Sequence, residues 1–358
     1  MDRGSRFIVR KIVIDFLCLL CVGMIVLTFY LFGTPYKRGF FCNDESLAHP
    51  MVDSTVTSPM LYVIGLFLPI CTMLAFEYHH AKGLPEKKPL VVLGKSIPYW
   101  MTMAYEKIGV FGFGAAVTVM TTDIAKYTIG RLRPHFLTIC NPKINCSWPE
   151  NQHRYITDYV CEADGVSPKV LKELRLSFPS GHSSFAAYTM IFLALYLQLR
   201  LTWPGSKLFR HFLQYICIMM AWYTAMTRVS NYKHHWSDVL AGLGIGTVIA
   251  LIMVFCIGDL FKERRLQSAY NRSQLMIQRS SDMDKLRDYN EATSAMQVNP
   301  SVLSGSAPPS SQSPIMPNNN SGDNVDTHQF VESTPLRSES PTYGGTDGLV
   351  GNKSRRYR

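Results

Sequence analysis

The sequence predicts an all-α integral membrane protein, a six-transmembrane-helix bundle followed by a disordered C-terminal tail. Three observations predict it. Six apolar runs, at residues 12–32, 60–76, 108–122, 183–199, 212–226 and 239–261, are dominated by Leu, Ile, Val, Phe, Met, Ala and Gly, and a helix of ~20 such residues crosses a bilayer. Lys and Arg gather in the segments that would share one side of that membrane. From about residue 266 the chain turns polar, and 299–346 is rich in Ser, Pro, Asn and Gly, too poor in apolar groups to offset its ordering entropy. The boundaries are a membrane domain over 1–265 and a cytosolic, largely disordered tail over 266–358.

The first run follows Arg3, Arg6, Arg10 and Lys11 and shows no small-residue cleavage site, so it reads as a retained signal anchor. The second is short, and the third is interrupted at its end by Asp123 and Lys126; both draw on flanking residues to span. Lys82, Lys87, Lys88 and Lys95 follow the second run, Arg200, Lys207 and Arg210 the fourth, and Lys262, Arg264 and Arg265 the sixth. By the positive-inside rule these segments and both termini are cytosolic. The 127–182 loop is basic too, but long loops weigh little in that rule. A net charge of +10 on so apolar a chain points to membrane topology and anionic ligands, not to nucleic acid. In the tail, Ser313, Thr334 and Ser340 each precede proline and are phosphorylation candidates; a plain solvated linker is the favoured reading.

Of nine cysteines, Cys18, Cys21, Cys71, Cys217 and Cys256 lie in apolar runs and read as small hydrophobes. Cys42, Cys140, Cys146 and Cys161 fall on the outer, oxidising side. Cys146–Cys161 is the preferred disulfide because both belong to one loop, although four cysteines admit three connectivities. No metal is called: no paired CxxC or HxxxH spacing accompanies these four. Asn145-Cys146-Ser147 is a glycosylation sequon on the same loop. The sequons at Asn271, Asn319 and Asn352 fall in the predicted cytosolic tail and should stay bare.

Three stretches carry the chemistry. Lys126 and Arg133 stand seven residues apart around Gly130, two helical turns on one face if the third helix continues that far; the plain alternative is a basic cluster that snorkels to lipid headgroups. Pro179-Ser180-Gly181-His182 precedes the fourth run. A serine cap and a glycine at a helix start offer N–H groups to an anion, with His182 in the first turn; otherwise it is a histidine at a helix entrance. Arg228, His234 and Asp238 lie between the fifth and sixth runs. His234 and Asp238 are four apart, so the carboxylate can fix the tautomer of the imidazole and leave its other nitrogen nucleophilic. His235 would face elsewhere. With six spans all three stretches reach one membrane face at one depth, which favours a phosphate site over three coincidences.

Residues 125–140 (AKYTIGRLRPHFLTIC), 177–184 (SFPSGHSS) and 227–240 (TRVSNYKHHWSDVL) resemble the three signature motifs of the lipid phosphate phosphatases, the membrane branch of the type 2 phosphatidic acid phosphatase superfamily. The resemblance covers residues 7–262 and implies a six-helix core with an outward-facing site. It implies hydrolysis of phosphatidate, lysophosphatidate, ceramide-1-phosphate or sphingosine-1-phosphate without metal or cofactor. The expected place is the extracellular face of the plasma membrane or the lumenal face of an internal one. Carried onto this chain, the resemblance makes His234 the nucleophile, Asp238 the group that orients it and His182 the general acid and base. Lys126, Arg133, Ser180, Gly181 and Arg228 would bind the phosphoryl oxygens. Thr227 stands where the family has serine. A polyisoprenyl or sugar phosphatase on the same core and a non-catalytic membrane scaffold are the competing readings; a transporter would carry its polar groups at the bilayer midplane. Small residues in 241–246, AGLGIG, would let helices approach closely, which leaves a homo-oligomer open.

Overall fold

The structure is a computed structural model and describes residues 3–82, 90–92, 95–163, 165–201, 206–258 and 260–297. The phosphorylation candidates, the sequons at Asn319 and Asn352, Lys87, Lys88 and the 298–358 part of the tail lie outside the described residues. The chain divides into two compact units, 1–287 and 288–358; the first holds everything discussed below except the last turns of one helix.

Six of the long helices in the first unit form its bundle: α1 (Arg3–Phe32), α2 (Ser58–Lys82), α3 (Tyr99–Ile129), α4 (Gly181–Arg200), α5 (Lys207–Ser230) and α6 (Trp236–Ile252), the last prolonged by a π turn over Met253–Ile257. A two-stranded antiparallel ribbon pairs Leu90–Val92 with Lys95–Ile97 between α2 and α3. Four of the helices are long and apolar enough to cross a membrane, over Ile8–Phe32, Ser58–Lys82, Tyr99–Ile129 and Trp236–Ile257. Helices α4 and α5, of 20 and 24 residues, have the length but are more polar. The reason is visible for α4, which lies at the centre against α2, α3, α5 and α6. Fourteen of its residues are buried, so its neighbours in the bundle, rather than lipid, set which side chains it carries. Phe111, Tyr188 and Phe192 stack around it with ring centroids 5.2–6.0 Å apart.

The glycines of AGLGIG are used inside the chain. A Cβ on Gly242 would stand 2.5 Å from the Ser180 carbonyl oxygen, and one on Gly246 would strike the backbone at Ser184. These two glycines set α6 against α4, and only Gly244 faces open space. Two of the motif's three glycines therefore serve helix contact within one copy.

Two expectations about helix ends are corrected. The third helix stops at Ile129: Gly130 adopts φ 59° and its N–H bonds to the Lys126 carbonyl, the left-handed C-terminal cap that glycine favours. Arg133 is therefore not on the helical face of Lys126, and the space beside Gly130 is filled by the Tyr36 backbone. At the other end of the chain, residues 266–297 do not begin a disordered tail but belong to helix α7 (Leu260–Gln297). Residues 259–299 contain neither Gly nor Pro and many Leu, Met, Gln, Glu, Lys and Arg, so helix propensity is uninterrupted there although little apolar surface is buried.

Beyond the ends of α1, α3 and α5, the segments 33–57 and 131–176 fold over the bundle around a second core of Phe40, Leu47, Leu132, Phe136, Ile156, Tyr159 and Leu174. The Phe40 ring meets those of Phe136 and Tyr159 at 5.7 and 5.2 Å, and Phe40 exchanges backbone hydrogen bonds with Ile156. This docking corrects the disulfide expectation: Cys146 pairs with Cys42 and Cys161 with Cys140. A loop-local pair Cys146–Cys161 loses because the Phe40–Ile156 contact brings Cys42 to the loop, while the Pro142–Cys161 bridge sets Cys161 beside Cys140. Peptide mapping without reductant is expected to recover Cys42–Cys146 and Cys140–Cys161; recovery of Cys146–Cys161 would contradict this cap.

Candidate active site

The three stretches meet at the end of the bundle covered by this cap. Lys126, in the last turn of α3, forms an ion pair with Asp123 at 3.4 Å and reaches the start of α4, where a Cβ on Gly181 would lie 2.8 Å from its Nζ. A side chain at 181 would therefore push the Lys126 ammonium away from the start of α4. Arg133 is held by its backbone N–H to the Leu174 carbonyl at 2.9 Å, and its Nε is buried without a hydrogen-bond partner among the described residues.

Ser180 caps α4: its Oγ accepts from the Ser183 N–H at 3.4 Å and from the Ser183 hydroxyl at 3.0 Å. Its own N–H bonds to the Asp238 carbonyl at 3.0 Å, tying the second stretch to the third. In the first turn His182 buries an Nε2 that has no partner among the described residues.

Arg228 ends α5 and is only 2% exposed. Its Nη1 makes a long bond to Ser54 Oγ at 3.4 Å, and its Nε and Nη2 are buried without partners. The chain then turns sharply, with the Lys233 and His234 N–H groups on the Arg228 carbonyl at 3.0 and 3.2 Å. Tyr232 carries the turn at φ 52°, an unusual state for a non-glycine residue. It is held by His135, whose Nδ1 donates to the Tyr232 carbonyl at 2.9 Å, and by stacking on His49 at 4.4 Å. Thr227 directs its hydroxyl to the Thr224 carbonyl at 2.7 Å, a bond within its own helix that a serine hydroxyl could also make.

His234 is 5% exposed. Its Nδ1 donates to the Ser177 carbonyl at 2.7 Å, which in the neutral ring leaves Nε2 unprotonated. Asp238 is not the direct partner expected from the four-residue spacing, since its Oδ2 lies 3.9 Å from His234 Nδ1. The fully buried carboxylate is engaged elsewhere: Oδ1 by Arg131 Nη1 at 2.6 Å, Oδ2 by the Ser177 hydroxyl at 2.6 Å and by the His235 N–H at 3.0 Å. Helix α6 begins at Trp236, after both histidines, so the helical spacing argument does not reach His234.

Burial, the largest cause, pushes His234 down to about 4; the charges of Arg133 and Lys126 act in the same direction, and the Asp238 carboxylate opposes them. His135 falls to about 4 for the same leading reason. The sign follows: both rings are neutral when folded and must be charged to titrate, so their contribution to stability is complete above the ordinary value of 6.5 and declines as pH falls towards about 4. Melting in detergent is expected to drop by several degrees between pH 7 and pH 4.5.

Ser177, Arg131, Ser54 and His135 were not legible as site residues. All but Ser54 lie within the quoted strings, but no spacing signalled their contacts; Ser54 reaches the site only through the fold. Asn145 is exposed, its side chain accepting from the Ser147 N–H at 3.0 Å.

Buried nitrogens without partners recur at this site. Among the described residues they are Arg133 Nε, His182 Nε2, Arg228 Nε and Nη2, and one elsewhere, Arg210 Nε. An unmet buried donor costs ~1–3 kcal/mol, and four around one place suit an anion that would satisfy them. Residues 107–262 match the PAP2 superfamily. A Drosophila melanogaster relative named "Putative phosphatidate phosphatase" is 50% identical over 274 residues, covering 74% of this chain and 72% of its own length. Phospholipid phosphatase 1 of Rattus norvegicus is 40% identical over 263 residues, covering 70% and 86%. Phospholipid phosphatase 2 of Homo sapiens is 38% identical over 270 residues, covering 74% and 88%.

Proposed function

The chain belongs to the PAP2 superfamily, and on that premise we propose that it is a membrane phosphatase that hydrolyses lipid phosphate monoesters through a phosphohistidine. The observation that carries this reading is the set of unpaired buried nitrogens on Arg133, His182 and Arg228 beside the neutral His234.

In the proposed reaction His234 Nε2 attacks phosphorus while the bond to the lipid oxygen breaks, and His182, protonated, gives its proton to the departing alkoxide. Water then attacks the phosphohistidine, His182 takes its proton, the P–N bond breaks and inorganic phosphate leaves. Lys126, Arg133, Arg228 and the N-terminus of α4 at Ser180 and Gly181 hold the three phosphoryl oxygens, supplying positive charge where charge spreads in the transition state. No metal enters this scheme.

A lipid substrate is favoured by an open apolar cleft below the site, lined in part by Val56, Met60, Ala186, Met190, Met220 and Thr224. Ala186 and Thr224 lie one turn along their helices from His182 and Arg228, so a chain in the cleft would place its headgroup among the cations. The relatives' names agree, being phosphatidate and phospholipid phosphatases. We read α4 and α5 as the two remaining membrane spans, which gives six, with both termini cytosolic and the cap, its disulfides and a glycan on Asn145 outside. The outer face of the plasma membrane is the proposed place.

The test is phosphate release by the purified protein in detergent with EDTA, measured across phosphatidate, lysophosphatidate, ceramide-1-phosphate, sphingosine-1-phosphate, a polyisoprenyl phosphate and a sugar phosphate. Preference for the first four is expected; a requirement for added magnesium, or preference for the sugar phosphate, would overturn the proposal. The rate should also be bell-shaped in pH. Because burial lowers His234 to about 4, the acid limb of kcat/KM is expected near that value rather than at the ordinary 6.5.

A further inference from the structure

The link between Asp238 and His234 runs through a third residue. Ser177 uses both of its polar ends at once: its carbonyl accepts from His234 Nδ1 at 2.7 Å and its hydroxyl donates to Asp238 Oδ2 at 2.6 Å. Ser177 is fully buried, and its N–H bonds to the Arg131 carbonyl at 3.0 Å. Arg131 returns to the same carboxylate from the other side, its Nη1 lying 2.6 Å from Asp238 Oδ1 and 2.7 Å from Ser237 Oγ. Arg131 and Ser177 thus bond to each other through backbone and to Asp238 through side chains. Nη1 of Arg131 is engaged in this contact, whereas Nε of Arg133 and Nε and Nη2 of Arg228 are buried without partners among the described residues.

We infer that Arg131 and Ser177 are positioning residues which, with Asp238, hold the Ser177 carbonyl against His234 Nδ1 and so keep Nε2 bare and aimed. The inference rests on the phosphatase reading above for its catalytic meaning. It assigns Asp238 an indirect role: the carboxylate anchors Ser177 and Arg131, and the carbonyl of Ser177 selects the tautomer. Three short hydrogen bonds to a buried carboxylate, two of them charge-assisted by Arg131 or from backbone, make a rigid anchor. On this assignment Arg131 serves the carboxylate and not the phosphate, so its loss should act on the chemical step and not on binding.

The experiment compares Arg131→Gln, Arg131→Lys and Ser177→Ala by steady-state kinetics and by nitrogen NMR of histidine-labelled protein in detergent. Arg131→Gln is expected to lower kcat by about 10–100-fold, the size seen for lost orienting partners, with KM within about twofold because the phosphate contacts stay. Arg131→Lys should recover much of the loss. Ser177→Ala removes the hydroxyl anchor and keeps the carbonyl, so a smaller fall in kcat is expected. The NMR spectrum should show His234 as the Nδ1–H tautomer in the unsubstituted protein and a mixed population in Arg131→Gln. A rise in KM at unchanged kcat would make Arg131 a phosphate ligand and overturn the inference, as would an unchanged His234 tautomer in both variants. Because the tautomer is read without turnover, an inactive but correctly folded protein would sink the phosphatase reading while still deciding this one. If Arg131→Gln does not fold, Ser177→Ala carries the same two readouts.

Discussion

Replacing His234 by alanine is expected to abolish phosphate release, lowering kcat by on the order of 10⁴-fold or more, as removal of a covalent nucleophile does elsewhere. The magnitude follows from the role. The adjacent imidazole, His235, is engaged at the cap of α6, its Nδ1 3.3 Å from Asp238 Oδ2, and does not share the Ser177 carbonyl that holds His234. Water attacking the ester directly would have to do without the nucleophile while Arg133 and Arg228 still bound the phosphoryl group. Substrate binding should therefore survive, and the His234→Ala protein should retain affinity for a non-hydrolysed lipid phosphonate within a few-fold. Normal turnover by this variant would end the covalent account.

The second large effect is expected at Gly242. A leucine there must displace the Ser180 carbonyl, which would stand 2.5 Å from the new Cβ, and the Ser183 side chain at 3.0 Å. Both belong to the cap of α4, so α6 has to move outward. That movement breaks the Ser180 N–H bond to the Asp238 carbonyl and draws Asp238 from Ser177. Gly242→Leu should then lose about 3 kcal/mol or more, the upper range for overpacking, and nearly all activity with it. Gly244→Leu is the internal control: nothing lies within 4 Å of that position, so stability and kcat should stay close to those of the unsubstituted protein. Equal damage at both positions would show that the tight α4–α6 contact is not what places the site.

How far the sequence could be read depended on the range of the interactions involved. Apolar runs and basic flanks report on solvent and membrane, so the long helices were legible. Hydropathy weakened for α4, because a helix surrounded by protein can carry Ser, Thr and Tyr that a lipid-facing one would not. The proposed phosphate-binding and histidine positions stood out because clustered cations at helix ends are costly choices unless something uses them. Partner choice was not: the spacing of His234 and Asp238 suggested a direct hydrogen bond, but the helix starts after His234, and a tight turn through Tyr232 hands Nδ1 to Ser177 instead. The disulfides failed for a related reason. Cys42 lies 104 residues from Cys146, and the docking of Phe40 against Ile156, Phe136 and Tyr159 brings them together. The helix over 260–297 was missed because polar composition was read as disorder where the absence of Gly and Pro favoured helix.

The central claim is that phosphorus passes through His234. Its most direct measurement is rapid quenching of the purified protein with lipid phosphate carrying labelled phosphorus, in EDTA, under alkaline conditions that preserve phosphohistidine. The account predicts a burst of label that is lost in acid, maps to His234, forms at least as fast as turnover and is absent from His234→Ala. Label on another residue, or turnover in EDTA with no labelled protein at any time, would contradict it.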